Sequence, residues 1–218
     1  MSAVLDEQLK MLSLQPGESL RAQVFPVRPR LLKVKASMRG QARALVRAEN
    51  ADELVSSWPA QGESVHAVLS GEFVMGDLID RVRALRGNPR AVWIATLSLG
   101  LPNVQTLKNS ALDGVETRVL VSHYFQSTED ALYDAMMRDL LPAGVKLYVG
   151  RLHAKVMLFD FENAPVVITT SANLRSSNNL EQADLFAWPD LFFFHQSWMR
   201  EVCDRAEAGI NPTFAIPL

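Results

Sequence analysis

Residues 151–160, RLHAKVMLFD, carry a histidine, a lysine and an aspartate inside a run that otherwise favours a β-strand. Residues 164–173, APVVITTSAN, form a second strand-like run, and only FEN separates it from the first. Asn163 and Pro165 mark a turn between the two runs. We therefore predict a β-hairpin, and the rest of the chain is interpreted outward from it.

The predicted hairpin brings polar side chains together. In an extended strand, residues two apart face the same way, so His153 and Lys155 are expected on one face. Ser171 and Asn173 share a face of the returning strand, and pairing around the turn would let the two faces coincide. Asp160 lies an odd number of positions from both His153 and Lys155, so it points the other way or belongs to the turn.

This cluster would hold an imidazole, an ammonium, a hydroxyl and an amide around one point. Such a donor-rich set suits a phosphoryl group, because lysine offers a point charge and the neutral groups offer hydrogen bonds. An imidazole with a pKa of about 6.5 can act as a nucleophile or an acid near neutral pH. For residues 151–160 taken alone, the competing interpretation is an amphipathic edge strand with solvated polar residues.

Strand-like and helix-like segments alternate before the hairpin, and a helix follows it. The predicted strands are 64–70, 91–99, 117–123 and 146–150, and the predicted helices are 76–85, 103–111, 129–141 and 190–208. Strands that alternate with helices of this length pair in parallel. The predicted fold class is therefore α/β, with a mixed, largely parallel sheet flanked by helices and carrying a catalytic β-hairpin.

The first 60 residues differ from the rest. Residues 4–14 predict a short amphipathic helix, and residues 21–47 contain eight basic residues and no acidic one. We predict a division into an N-terminal helix and basic segment, 1–60, and a catalytic domain, 61–218. A basic run is usually a solvated face, but one of this length can also contact nucleic acid. The candidate contacts are Arg28, Arg30, Lys33 and Lys35.

Composition narrows the class of protein. The chain has 218 residues, of which 48% are hydrophobic, and a formal net charge of −2. A core can therefore form, and an anionic partner would need a local basic patch. The single cysteine, Cys203, excludes an internal disulfide framework and a cysteine-rich zinc site. We find no signal peptide and no apolar run long enough for a membrane span, and we expect a cytoplasmic protein without membrane contact.

The motif resembles that of a known family. The pattern His153-Ala-Lys155, four residues and Asp160 is similar to the signature of the phospholipase D superfamily. The stretch TSANL at 170–174 and the stretch NNLEQ at 178–182 resemble the serine–asparagine and acidic segments that follow that signature. The similarity covers roughly residues 64–187. Thr170 departs from the family's usual glycine before the serine.

The resemblance implies roles for the polar residues. His153 would be the nucleophile that forms a phosphohistidine. Lys155 and Asn173 would hold the phosphoryl oxygens with help from Ser171. No metal and no cofactor are implied, because the lysine and the amide can neutralise the phosphoryl charge themselves.

An acidic residue would orient the nucleophile. The resemblance implies that Glu181 binds the far nitrogen of His153 and fixes its tautomer, with Asp184 as the alternative. Asp160 would support the hairpin or the histidine network. Two further histidines are weaker candidates. His66 is expected to be structural or at the rim of the site, and His123 ends a parallel strand, where ligands bind in open α/β sheets.

The function we infer from the resemblance is that of a metal-independent nuclease. It would hydrolyse phosphodiester bonds of nucleic acid, with DNA as the expected partner and RNA as the alternative. Family catalysis uses two histidines on opposite sides of the phosphorus, and the chain has one HxK motif, so we predict a homodimer with a shared site. The alternatives are a phospholipase D-type lipid phosphodiesterase and a non-catalytic nucleic-acid-binding module.

Overall fold

A computed structural model describes residues 41–48, 51–69, 73–177 and 179–209. The predicted N-terminal helix and most of the basic run lie outside these residues. All four candidate nucleic-acid contacts also lie outside the described residues: Arg28, Arg30, Lys33 and Lys35. Nucleic-acid binding by this run therefore stays a prediction.

The described chain alternates between strands and helices along most of its length. Its strands are β1 Gln41–Ala48, β2 Glu63–Leu69, β3 Phe73–Val74, β4 Ala91–Thr96, β5 Glu116–Ser122, β6 Lys146–Gly150, β7 Val156–Asp160, β8 Val166–Thr170, β9 Ser176–Ser177 and β10 Glu181–Phe186. Its α-helices are α1 Ala51–Ser56, α2 Asp77–Arg86, α3 Val104–Leu112, α4 His123–Thr128, α5 Asp130–Leu140 and α6 Pro189–Glu207. A short 3₁₀ turn, Leu101–Asn103, precedes α3.

One mixed sheet organises these elements. Eight strands lie in the order β1-β2-β10-β8-β7-β4-β5-β6, and β3 pairs with β9 in a separate ladder. The β1–β2, β4–β5 and β5–β6 pairs are parallel, and the other pairs of the large sheet are antiparallel. Six of the eight strands therefore run in one direction, and only β7 and β10 oppose them. This confirms the predicted α/β class and its mixed, largely parallel sheet.

The predicted hairpin is formed by β7 and β8. Val156 pairs with Thr169 and Phe159 with Val166, so the pairing is centred on the turn that contains Asn163. Strand β7 begins at Val156, five residues after the start of the strand-like run 151–160. His153 and Lys155 therefore precede the strand, although the Lys155 carbonyl still accepts a hydrogen bond from the Thr170 N–H at 3.1 Å.

Both faces of the sheet are covered by apolar side chains. Strand β4, AVWIAT, is buried along its whole length, because its alternate residues enter two different cores. Val92 and Ile94 pack with residues of α1 to α5, whereas Trp93 packs beneath α6. Helix α6 buries Phe192 and leaves Phe193 59% exposed.

Several details differ from the sequence expectations. The sequence predicted no strand at 181–186, where β10 lies in the middle of the sheet between β2 and β8. The short helix α4 was also not expected. Strand β1 and helix α1 precede residue 61, yet β1 pairs with β2 and Leu54 lies in the main core. The predicted division at residue 60 stays a prediction. Within the described ranges, no helix is long and apolar enough to cross a membrane.

Candidate active site

The candidate site lies at one edge of the sheet, where the co-directed strands end. Register places the start of β7 beside the end of β4, since Ala95 pairs with Val156. It also places Glu181, the first residue of β10, beside Leu69 at the end of β2. His153 lies just before β7 at this same edge, which is where ligands bind in open α/β sheets.

His153 and Lys155 are neighbours at this edge. The Lys155 Nζ lies 3.2 Å from the His153 Nδ1 and 3.2 Å from the His153 carbonyl oxygen. The imidazole is exposed to solvent, and its Nε2 has no hydrogen-bond partner among the described residues. One ring nitrogen of His153 is thus left for a molecule from outside.

The electrostatics of Lys155 are perturbed. Burial lowers its pKa below the ordinary lysine value, and the negative charge of Glu181 opposes that shift. The protonated ammonium is therefore less well solvated than on an open surface. An anion that arrives beside Lys155, such as a phosphoryl group, would restore part of the lost stabilisation of this charge.

Ser171 and Glu181 meet at the start of β10. The Ser171 hydroxyl donates a short hydrogen bond to the Glu181 carboxylate. The Gln182 N–H donates to the Ser171 Oγ at 2.9 Å, and the Ser171 N–H donates to the Gln182 carbonyl at 3.0 Å. These contacts fix Ser171 at the mouth of the site, so the structure brings together His153, Lys155, Ser171 and Glu181.

Asn173 lies in the segment that bends away after β8. Its Oδ1 atom is buried and has no hydrogen-bond partner within the part of the chain that the structure describes. An amide oxygen and nitrogen can exchange places by a flip of the side chain, so the observation concerns the amide as a whole. A buried polar group without a partner is costly, and its presence beside the polar cluster favours a ligand-binding role.

The backbone after Asn173 is held by other loops of the same edge. The Leu174 N–H donates to the Thr96 hydroxyl at 2.9 Å. The Leu174 carbonyl accepts from the amide nitrogen of Asn103 at 2.8 Å, and the Asn103 Oδ1 accepts from the Gly76 N–H at 2.6 Å. The fully buried Asn103 therefore ties the segment after β8 to the segments before α2 and α3.

A second tether was not foreseen from the sequence. Arg175 donates to both carboxylate oxygens of Glu129, at 2.7 and 2.6 Å, and its guanidinium lies 5.6 Å from the centre of the Phe125 ring. This pair joins the segment after β8 to the junction of α4 and α5. Residues 46 positions apart meet here, and no local sequence pattern signals such a pair.

Two predicted site residues lie elsewhere. Asp160 ends β7 at the opposite edge of the sheet, where it forms an ion pair with Arg90 at 2.8 Å. The pair joins the end of β7 to the residue before β4, and support of the hairpin by Asp160 stays a prediction. The Asp184 carboxylate contacts the His66 Nδ1 at 2.8 Å and accepts a hydrogen bond from the Gln182 side-chain amide at 2.6 Å. The histidine partner of Asp184 is therefore His66 and not His153.

A cleft of about 610 Å³ opens beside the nucleophile candidate. His153 forms part of its wall together with His123, Tyr124 and Arg151. His123 is the first residue of α4 and directly follows the end of β5, at the type of position where the sequence suggested a ligand site. Sequence reasoning did not single out Tyr124 and Arg151, although both follow the ends of predicted strands, which is the signal that could have identified them.

Comparison with known proteins agrees with this geometry. Residues 83–189 match the family model described as "Cardiolipin synthase, PLD-like domain". No curated protein sequence matches the chain. Among solved structures, Nuc from Salmonella typhimurium, a phospholipase D family member, matches with 18% identity and a TM-score of 0.50, over 65% of this chain and 95% of Nuc.

Two further structures are less similar. Polyphosphate kinase from Porphyromonas gingivalis matches with 14% identity and a TM-score of 0.44, over 60% of this chain and 24% of the kinase. TrmBL2, an archaeal chromatin protein, matches with 11% identity and a TM-score of 0.44, over 64% of this chain and 52% of that protein. The family model and the fold shared with Nuc together confirm the predicted resemblance to the phospholipase D superfamily, and residues 83–189 match its phospholipase D-like domain.

Proposed function

We propose that this chain is a metal-independent nuclease that hydrolyses phosphodiester bonds through a phosphohistidine. The observation that carries the proposal is the meeting of an exposed imidazole, a partly buried ammonium and a hydroxyl–carboxylate pair at the ligand-binding edge of a phospholipase D-like fold. The catalytic residues would be His153, Lys155, Asn173 and Glu181, with Ser171 binding substrate.

The proposed reaction has two displacements at phosphorus. The Nε2 of His153 forms a bond to phosphorus while the bond to the leaving oxygen breaks, and that oxygen takes up a proton from the second histidine, which later takes a proton back from the attacking water. A water molecule then forms the new P–O bond as the P–N bond breaks, which releases a phosphomonoester and restores the histidine. Lys155 and Asn173 stabilise the charge that develops on the phosphoryl oxygens.

The contact between Lys155 and His153 must change when substrate binds. An ammonium only donates, so its contact with Nδ1 favours the tautomer that carries the proton on Nε2. That nitrogen cannot attack in this tautomer. We therefore place Lys155 on a phosphoryl oxygen in the complex, while the proton lies on Nδ1 and Glu181 accepts a hydrogen bond from it.

The proposal needs no metal ion. In the described residues, no group of three or more histidine, cysteine, aspartate or glutamate side chains is arranged to hold one. Lys155 supplies a positive charge at the position where a metal would otherwise neutralise the phosphoryl oxygens.

The proposal is tested with the purified protein and four substrates. Plasmid DNA, single-stranded DNA, RNA and phosphatidylcholine vesicles are each incubated with and without EDTA. We expect cleavage of nucleic acid at the same rate in both conditions. Activity that is lost in EDTA and restored by magnesium would refute the metal-independent mechanism.

A lipid substrate is the second candidate. It is favoured by the description of the matching family model, which names cardiolipin synthase. Release of choline from the vesicles without cleavage of nucleic acid would establish this alternative. Binding of nucleic acid without hydrolysis of any of the four substrates would instead indicate a non-catalytic binding module.

We further propose that the active unit is a homodimer with one shared site. One HxK motif supplies one attacking histidine, and the second histidine would come from a partner across a two-fold axis. Wild-type subunits are allowed to exchange with an excess of His153→Ala subunits before cleavage is measured. Activity should fall as the square of the wild-type fraction, whereas a linear fall would show that each chain works alone.

A further inference from the structure

The cleft beside His153 extends beyond the reacting groups. We propose that it binds one unpaired nucleobase next to the scissile phosphate, with the base against Tyr124 and the neighbouring phosphate at Arg151. The substrate class that follows is single-stranded nucleic acid. This inference rests on the proposed nuclease function and adds a specificity site to it.

The size and place of the cleft fit this role. Its volume of about 610 Å³ lies within the range typical of small-ligand sites. Because His153 lines it, a group bound there would lie close to a phosphate at the nucleophile. The cleft would therefore hold the part of the substrate next to the cleaved bond.

Tyr124 presents its ring from a fixed backbone. Three hydrogen bonds hold this backbone in place. The Tyr124 N–H donates to the Ser122 hydroxyl at 3.1 Å, and the Tyr124 carbonyl accepts from the Ser127 and Thr128 hydroxyls at 3.1 and 2.7 Å. The neighbouring Phe125 is buried in the core, whereas Tyr124 is 63% exposed. An aromatic ring held open on a rigid turn is suited to stacking a base.

Arg151 supplies the charge. It is exposed, and it forms no ion pair with any described residue, whereas Arg175 is held by Glu129 and Arg90 by Asp160. An exposed cation two residues before the nucleophile candidate is placed to meet a second negative charge. A polynucleotide carries such a charge on its next phosphate, whereas a simple dialkyl phosphodiester does not.

Stacking of a base on Tyr124 predicts a preference for single-stranded over double-stranded nucleic acid. A base inside a duplex is covered by its neighbours on both faces, so it cannot also lie flat on Tyr124 without being extruded. A single strand offers its bases at little cost. Single strands should therefore be cleaved faster than a duplex of the same sequence.

The test uses defined short substrates. One is a dinucleotide with a single phosphodiester, the second is the same molecule with an abasic residue, and the third is a tetranucleotide with added phosphates. Tyr124→Leu should lower kcat/KM on the dinucleotide about tenfold and have no effect on the abasic analogue. Tyr124→Phe, which keeps the ring, should behave like the wild type.

Arg151→Gln should lower kcat/KM on the tetranucleotide and leave the dinucleotide unchanged. The matched control is Arg86→Gln, which removes an exposed arginine at the end of α2, on the opposite edge of the sheet. It should change neither substrate. Two outcomes would overturn the assignment of the cleft. One is an unchanged kcat/KM in both the Tyr124→Leu and the Arg151→Gln variants, and the other is faster cleavage of a duplex than of a single strand.

Binding separates this inference from the proposed chemistry. A labelled single-stranded oligonucleotide is titrated into a His153→Ala protein with and without Tyr124→Leu. Weaker binding in the double variant supports the cleft even if no substrate is hydrolysed, an outcome that would remove only the proposed nuclease activity. Equal binding together with normal cleavage by the Tyr124→Leu enzyme would remove only the cleft.

Discussion

Two histidines of this protein lie in contrasting surroundings. The His66 Nδ1 is 2.8 Å from Asp184, its Nε2 is 3.2 Å from the Ser64 hydroxyl, and its ring meets the edge of Phe186. The exposed His153 ring has one hydrogen-bond partner among the described residues, the Lys155 Nζ at its Nδ1. Both side chains reach solvent, but only His153 keeps a ring nitrogen without a partner among the described residues. We therefore expect reactivity to depend on an unused ring nitrogen rather than on exposure.

Removal of each imidazole gives the largest contrast. His153→Ala should lower kcat/KM about 1,000-fold or more, because the nucleophile is lost, while the melting temperature stays near the wild type. His66→Ala should keep its activity but lose about 1–3 kcal/mol of unfolding free energy, because Asp184 and Ser64 lose their partner. Initial rates and denaturant unfolding check both variants. Equal activity in the two variants would break the comparison.

Removal of the positive charge of Lys155 should give the next largest loss of activity. Lys155→Met should cost about 100-fold in kcat/KM, because the phosphoryl oxygens lose their cation. Burial lowers the pKa of Lys155, and activity needs its protonated form, so the alkaline limb of the pH profile should lie below the ordinary lysine range. Lys155→Arg should remove that limb, because a guanidinium stays charged throughout the accessible pH range.

Glu181 should shift that limb in a defined direction. Its negative charge raises the pKa of Lys155, so Glu181→Gln makes deprotonation easier and moves the alkaline limb to lower pH. Profiles of kcat/KM against pH measure the shift. Asp184→Asn is the matched control, because its carboxylate contacts His66, and it should leave the limb in place. A limb that moves upward in Glu181→Gln would reverse the assigned sign.

The smallest expected effect on activity comes from a residue that holds a segment of the candidate site in place. The His66 cluster is held within strands β2 and β10, whereas the groups around His153 depend on loops. Arg175→Ala should lower kcat about tenfold with little change in KM, because the segment that carries Asn173 loses its tether to Glu129. A double-mutant cycle with Glu129→Ala should show strong coupling. Additive losses would show that the pair does not position the site.

The hairpin was predictable because its signals are local. Asn163 and Pro165 fall at the centre of the observed pairing, and apolar residues fill both arms. Strand β10 carries more polar residues. Ala183 and Leu185 alternate with Gln182 and Asp184, but only two apolar residues carry this pattern, so the local signal for a strand is weak.

Long-range partners could not be predicted in the same way. His66 and Asp184 are 118 residues apart, and they meet because β2 and β10 are neighbours in the sheet. The position of Asp160 follows from strand geometry once the bounds of β7 are known. Five residues of extended chain place it roughly 16 Å from Lys155, at the far edge. The site roles assigned to His153, Lys155, Asn173, Ser171 and Glu181 stay predictions.

Asn103 has a consequence for how this site can evolve. One buried amide joins the segment before α2, the segment before α3 and the segment that carries Asn173. A Cβ atom at Gly76 would collide with the Asn103 Oδ1, so the position accepts no side chain while that amide stays. These three segments cannot change length independently of one another. We therefore expect changes in specificity to arise in segments outside these hydrogen bonds, such as the wall of the cleft formed by Tyr124 and Arg151.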